Sequence, residues 1–174
     1  IEWRQRFYNE GAFCSNEGWD QTEITRRKLA KFIGAKTQEV SFFQTTASAL
    51  SQVAFGIPLK AQDEILIWDQ EYPSNYYPWL RAAERSGARL IEVKSENWKT
   101  PAQNILEYVN SKTRVIAISW VQYQTGSVTD LKMISEALKD KGIWLVADVV
   151  QGVGVRPFNF NETGFDVICS GSHK

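Results

Sequence analysis

Short apolar runs alternate with polar, periodic segments over most of the chain, and that pattern predicts its elements. Glu64–Trp68 (EILIW), Arg89–Val93, Thr113–Ser119 (TRVIAIS), Ile143–Ala147 (IWLVA) and Phe165–Cys169 predict strands, EILIW and IWLVA buried ones. Helical patterns lie between them: Tyr76–Ser86 ended by Gly87, Pro101–Asn110 with proline in its first turn, and Leu131–Lys139 behind a candidate N-cap, Asp130. Upstream, Gln21–Phe32 sets Ile24, Leu29 and Phe32 among Arg26, Arg27, Lys28 and Lys31, which predicts an amphipathic helix with a solvated basic face, stopped before Gly34. Glu39–Phe43 (EVSFF) predicts one more strand and Ala49–Ile57 an apolar helix, whereas Ile1–Gly18 has no clear period and reads as helix or loop. Strand and helix alternate from Glu39 onward. The expected fold class is therefore α/β, a mostly parallel sheet joined by right-handed crossovers with helices on both faces.

Such sheets bind ligands in the crevice outside the carboxyl ends of their strands. Asp148 is the first charged residue after IWLVA, Gln151 follows three residues on, and the chain ends Ser170-Gly171-Ser172-His173-Lys174 behind another strand. A lysine amine can form a Schiff base with an aldehyde, a carboxylate can keep a pyridine nitrogen protonated, and an amide can hydrogen-bond a ring oxygen. That set suits pyridoxal phosphate. Gln44-Thr45-Thr46-Ala47-Ser48 opens a helix, where hydroxyls either cap it or, with its free N–H groups, hold a phosphate. Tyr72, just past EILIW, either packs on the next helix or offers its ring to a ligand. Gly152-Val153-Gly154 is a bare G-x-G with Pro157 where a third glycine would stand, which makes a dinucleotide site the weaker reading.

Composition narrows the picture. A chain of 174 residues with 43% hydrophobic and 13% aromatic content supports one substantial core. Twenty basic and twenty acidic side chains balance, so neither nucleic acid nor another polyanion is an expected partner. Cys14 and Cys169 lie far apart, which predicts no disulfide framework and no metal cluster, and fits a reducing cytoplasm. No apolar run is long enough for a membrane span, and Ile1-Glu2-Trp3-Arg4 is not signal-like, the expectation being an interior fragment.

Val146-Ala147-Asp148-Val149-Val150-Gln151-Gly152, followed by Ser172-His173-Lys174, resembles the class V aminotransferase family. These are fold-type I pyridoxal-phosphate enzymes that include cysteine desulfurases and isopenicillin N epimerase-like proteins. The resemblance implies that Lys174 is the Schiff-base lysine, Asp148 the pyridinium partner, Gln151 the ring-oxygen ligand and His173 a neighbour of the phosphate or the Schiff base. The stretch Gln44–Ser48 is similar to the family's Gly-Thr-Thr-Glu-Ala phosphate segment, which maps the pair onto Thr45 and Thr46 and puts Gln44 and Ala47 in place of its glycine and acid. Glu71–Asn75 through Pro78-Trp79 is similar to the segment that stacks an aromatic ring on the pyridine, here Tyr72. Many cysteine desulfurases carry histidine there, so Tyr72 leans the expectation away from desulfuration. The exit of TRVIAIS supplies an amide near the ring oxygen and the substrate, from Gln122 or from Gln124.

By resemblance, residues 1–18 form an N-terminal segment and residues 19–174 part of the large cofactor-binding domain, with the small domain absent from this chain. The implied activity is chemistry on an amino acid by transamination, β-elimination or epimerisation, with Lys174 as acid and base at the α-carbon and Asp148 and Tyr72 as the other catalytic residues. The alternatives are a cysteine desulfurase or selenocysteine lyase, whose nucleophilic cysteine and substrate-carboxylate arginine would lie past Lys174, and a non-catalytic binding or assembly domain. A homodimer is the implied assembly.

Overall fold

The structure, a computed structural model, describes residues 2–11, 15–95 and 100–172. It divides into two compact units, Ile1–Ser41 and Phe42–Lys174.

The first unit is helical. α1 spans Glu2–Glu10 and α2 Ser15–Ile33, so the aperiodic N-terminal stretch is helix on both sides of residues 12–14, and α2 begins well before the predicted Gln21. Gly34 ends α2 at φ +72°, where the Ala35 N–H returns to the Ala30 carbonyl at 2.8 Å. Of the apolar stripe expected on this helix, Ile24 is half-buried whereas Leu29 and Phe32 are 36% and 60% exposed. The predicted strand Glu39–Phe43 does not form. Thr37–Glu39 is a single 3₁₀ turn and residues 40–43 join no ladder. A strand needs a neighbour for its backbone groups. Here the Val40 carbonyl accepts from the Arg26 guanidinium instead, and Phe42 and Phe43 remain exposed.

The second unit carries the sheet. β1 (Glu64–Trp68), β2 (Arg89–Val93), β3 (Thr113–Ser119), β4 (Trp144–Asp148) and β5 (Val167–Cys169) form one parallel sheet in the order β2-β1-β3-β4-β5. Successive residues point to opposite faces and both faces are covered. Leu66, Trp68, Ile116, Ile118, Leu145 and Ala147 pack under α5 (Pro101–Glu107) and α6 (Leu131–Ala137), while Ile65, Ile67, Val115, Ala117 and Val146 pack under α3 (Thr46–Gly56) and α4 (Pro73–Ser86). The chain leaves β1 in one direction to reach β2 and then returns past it to β3. Helices α4 and α5 therefore fall on opposite faces, as right-handed crossovers of opposite direction require.

Local chemistry sets the helix ends. Thr45 caps α3 by accepting from the Ser48 N–H at 3.0 Å, and Asp130 caps α6 by accepting from that of Met133 at 2.9 Å. Thr100 and Gln103 form a capping box ahead of Pro101, and Pro73 opens α4, which Gly87 closes at φ +74°. A short helix, α7 (Phe160–Thr163), leads into β5. No helix among the described residues is long and apolar enough to cross a membrane.

Candidate functional site

The carboxyl ends of β1, β3, β4 and β5 lie side by side, and the loops leaving them carry most of the candidate residues. Asp148 closes β4, in register with Ser119 of β3 and Cys169 of β5. It is buried, its Oδ1 accepts the Val150 N–H at 2.9 Å, and no described cation pairs with it. Burial raises its pKa above the ordinary aspartate value, with the Val150 hydrogen bond opposing. The thiol of Cys169 is pushed up to about 12, first by its own burial and then by the Asp148 charge, so it stays protonated and unreactive at neutral pH.

Residues 149–152 then turn tightly, with the N–H groups of Gly152 and Val153 both returning to the Val149 carbonyl at 3.1 Å. This turn leaves Gln151 half-buried and lays Gly152 against the indole of Trp120, in the segment leaving β3. A Cβ built on Gly152 would stand 2.2 Å from Trp120 Cε3, so only glycine lets the turn approach that ring. Trp120 is fixed in turn. Its N–H donates to the Asp148 carbonyl at 2.8 Å and its ring packs on Phe158 with centroids 4.9 Å apart.

At the other end of the row, α3 brings its N-terminus to the exit of β5, where Thr46 Oγ1 donates to the Ser170 carbonyl at 3.3 Å. The first-turn amides of Thr46 and Ala47 have no intrahelical acceptor, and Thr45 and Ser48 hold their hydroxyls 2.9 Å apart beside them. Free amides, hydroxyls and the positive end of the helix dipole suit an anion there. Tyr72 is the N-cap residue of α4 without a side-chain cap bond. The residue is 48% exposed and its ring meets Tyr123 edge-on at 5.1 Å, so it is not consumed by the packing of α4.

Of the two amides after β3, Gln122 is 2% exposed whereas Gln124 lies in the open with its Nε2 on the Tyr123 hydroxyl. Gln122 leads to a group that the sequence reading passed over. Its Nε2 donates at 3.0 Å to Glu71, a carboxylate buried beside the β1 exit. Glu71 also accepts from the Ser119 N–H at 2.7 Å, the Ser119 hydroxyl and Asn75 Nδ2 at 2.9 Å, and Asn75 in turn accepts from Trp79 Nε1 at 3.1 Å. Burial pushes the Glu71 pKa up against the pull of those hydrogen bonds. The available signal was an acid at a strand exit, the same one that singled out Asp148. His173 and Lys174 lie outside the described residues.

An α/β sheet with an acid, an amide, a helix N-terminus and an aromatic ring along its carboxyl edge invites comparison with known proteins. The model of the family described as aminotransferase class-V matches residues 9–174. This chain belongs to the class V aminotransferase family. Within it, the chain is similar to a probable cysteine desulfurase of Methanothermobacter thermautotrophicus, at 28% identity over 86% of this chain and 37% of that protein. It is also similar to the uncharacterized aminotransferase YcbU of Bacillus subtilis, at 27% identity over 91% of this chain and 42% of that protein. Among solved structures, the apo cysteine desulfurase of Thermococcus onnurineus superposes with a TM-score of 0.83 at 25% identity, covering 92% of this chain and 41% of that one. The chain thus spans about two fifths of the length of these family members.

Proposed function

We propose that this chain is the cofactor-binding part of a pyridoxal-phosphate enzyme that acts on an amino acid. The observation that carries the reading is Asp148: a carboxylate buried at the end of a central parallel strand, with no cation beside it among the described residues. An ion so placed is costly unless a positive group meets it, and a protonated pyridine nitrogen is such a group. The rest of the edge suits the same ligand. The α3 N-terminus with Thr45 and Thr46 offers a phosphate seat, Tyr72 an accessible ring face, and Gln151 a half-buried amide with no hydrogen-bond partner among the described residues.

Bound there, the cofactor would supply an electron sink for bonds at the α-carbon of an amino acid. The chain's own part is then assigned as follows. Asp148 holds the proton on the ring nitrogen, Thr45 and Thr46 anchor the phosphate, and Tyr72 stacks on the ring and shields it from water. Gln151 holds the ring oxygen, Gln122 stands beside the ring and the substrate, and His173 adjoins the phosphate or Lys174. Lys174 links the cofactor to the chain and carries the proton at the α-carbon. Transamination, β-elimination and epimerisation share this set, and the implied homodimer belongs to the same reading. Cysteine desulfuration is the second reading, favoured by the names of relatives and opposed by Tyr72.

The test is borohydride reduction of the intact protein with pyridoxal phosphate, followed by peptide mass analysis. The expected result is a pyridoxyl adduct on Lys174, lost in Lys174→Ala. An adduct on a different lysine, or none at saturating cofactor, overturns the proposal.

A further inference from the structure

Among the described residues, Glu71 is the one buried carboxylate in this row to which the proposed mechanism gives no part. Four donors from three residues converge on it: the N–H and hydroxyl of Ser119, Nδ2 of Asn75 and Nε2 of Gln122. Every one is neutral and no described cation approaches. Its Oε1 accepts from the Ser119 N–H and from Gln122 Nε2, two nitrogens that can only donate. That oxygen is an acceptor whichever protonation state burial imposes on Oε2, whose Ser119 neighbour can donate or accept.

The consequence falls on Gln122. An amide beside a carboxylate can present only its nitrogen, because oxygen facing oxygen would repel, and the orientation of the Gln122 amide is therefore dictated by Glu71. Its Nε2 is engaged at 3.0 Å, and its Oε1, buried with the rest of the side chain, has no hydrogen-bond partner among the described residues. The backbone gives the side chain little room to escape, because the Gln122 N–H donates to the Ser127 carbonyl at 2.9 Å and its carbonyl accepts from Gly126 at 2.8 Å. A buried acceptor left without a donor costs about 1–3 kcal/mol.

We propose that Glu71 is a positioning residue that clamps the Gln122 amide with its nitrogen inward, so that the site presents the Gln122 oxygen, an uncharged acceptor, to a hydrogen-bond donor of the bound ligand. This rests on the pyridoxal-phosphate reading for the identity of the ligand, but not for the clamp itself. It also divides labour between the amides. A deprotonated ring oxygen needs a donor, which Gln151 supplies, while the Gln122 oxygen meets a donor of the ligand. Toward the ligand, Glu71 and Gln122 then act as one unit, while the Ser119 and Asn75 bonds hold Glu71 in place.

The clamp is measured first on the intact, cofactor-free protein by NMR. The Gln122 side-chain amide protons are expected to exchange at least about tenfold more slowly than those of exposed Gln124, as a buried hydrogen bond implies, and to remain slow when pyridoxal phosphate is added. Exchange as fast as that of Gln124 overturns the clamp. Kinetics then test the coupling. Glu71→Gln and Gln122→Met should each lower kcat/KM by about tenfold or more, and the double variant should lose no more than the worse single one, because a positioning residue acts only through what it positions. Multiplied losses in the double variant would show that Glu71 acts independently and sink the proposal. If Glu71→Gln does not fold, Gln122→Met still decides: with one donor gone, the Glu71 carboxyl carbon should titrate at higher pH than in the parent, and an unmoved titration refutes the pairing. A protected Gln122 amide in a protein that forms no pyridoxyl adduct would leave the clamp standing and remove the cofactor reading.

Discussion

Gly152→Ala adds one methyl group at the point where the turn after β4 rests on Trp120. That Cβ would lie 2.2 Å from Cε3, 2.5 Å from Cζ3 and 3.0 Å from Cδ2 of the indole, where ordinary contact begins near 3.4 Å, an overlap of about 1.2 Å with a flat, rigid group. Trp120 cannot swing away cheaply. Its ring is packed on Phe158 and its backbone N–H is bound to Asp148. The turn must move instead, and it carries both Gln151 and the Val150 N–H that holds Asp148. Overpacking of this kind costs about 1–3 kcal/mol, and at about 2–4 °C per kcal/mol for a domain of this size the melting temperature of the intact protein should fall by about 2–12 °C. Calorimetry without cofactor is the assay, and an absorbance titration with pyridoxal phosphate should show weaker binding alongside. Gly56→Ala is the matched comparison. Gly56 closes α3 with open space around its Cβ position and no positive φ, so the same substitution there should be neutral or stabilising by about 0.4–1 kcal/mol. The Gly152→Ala penalty should also shrink in a Trp120→Leu background, as a double-mutant cycle would register. An unchanged melting temperature, or a penalty indifferent to the residue at 120, would refute the contact.

Asp148→Asn should stabilise the cofactor-free protein at neutral pH while abolishing most turnover. The folded pKa of Asp148 is raised, so its contribution to stability is fully present below the unfolded value near 3.8 and is lost as pH rises through the folded one. Parent and variant melting curves should therefore diverge with rising pH in that window, and parallel curves would show that Asp148 carries no burial cost. Thr45→Ala removes the cap of α3 and should cost about 0.5–2 kcal/mol together with affinity for pyridoxal phosphate; a loss of stability with unchanged cofactor affinity would make Thr45 a cap and nothing more.

Much of the sheet was determined by the sequence alone, because central parallel strands are covered on both faces and run apolar through their middles. The edge strand β2, with Arg89 and Glu92 exposed, still reads as a strand from Leu90, Ile91 and Val93. EILIW, RLIEV and TRVIAIS coincide with β1, β2 and β3 residue for residue, and β4 is displaced by one. Helix punctuation was equally local: Asp130, Pro101 and Gly87 each act within a turn of where they stand. What depended on partners distant in sequence was decided only by the tertiary structure. EVSFF has strand composition but no neighbouring ladder, and a guanidinium takes its carbonyl. Ile24, Leu29 and Phe32 have helical spacing, yet spacing does not supply a surface to cover them, and Leu29 and Phe32 stay exposed. Between Gln122 and Gln124 composition is silent, since the same side chain is buried at one position and solvated two residues later. The difference is Glu71, 51 residues away in the chain, and only the folding of β1 against β3 brings its carboxylate to that amide.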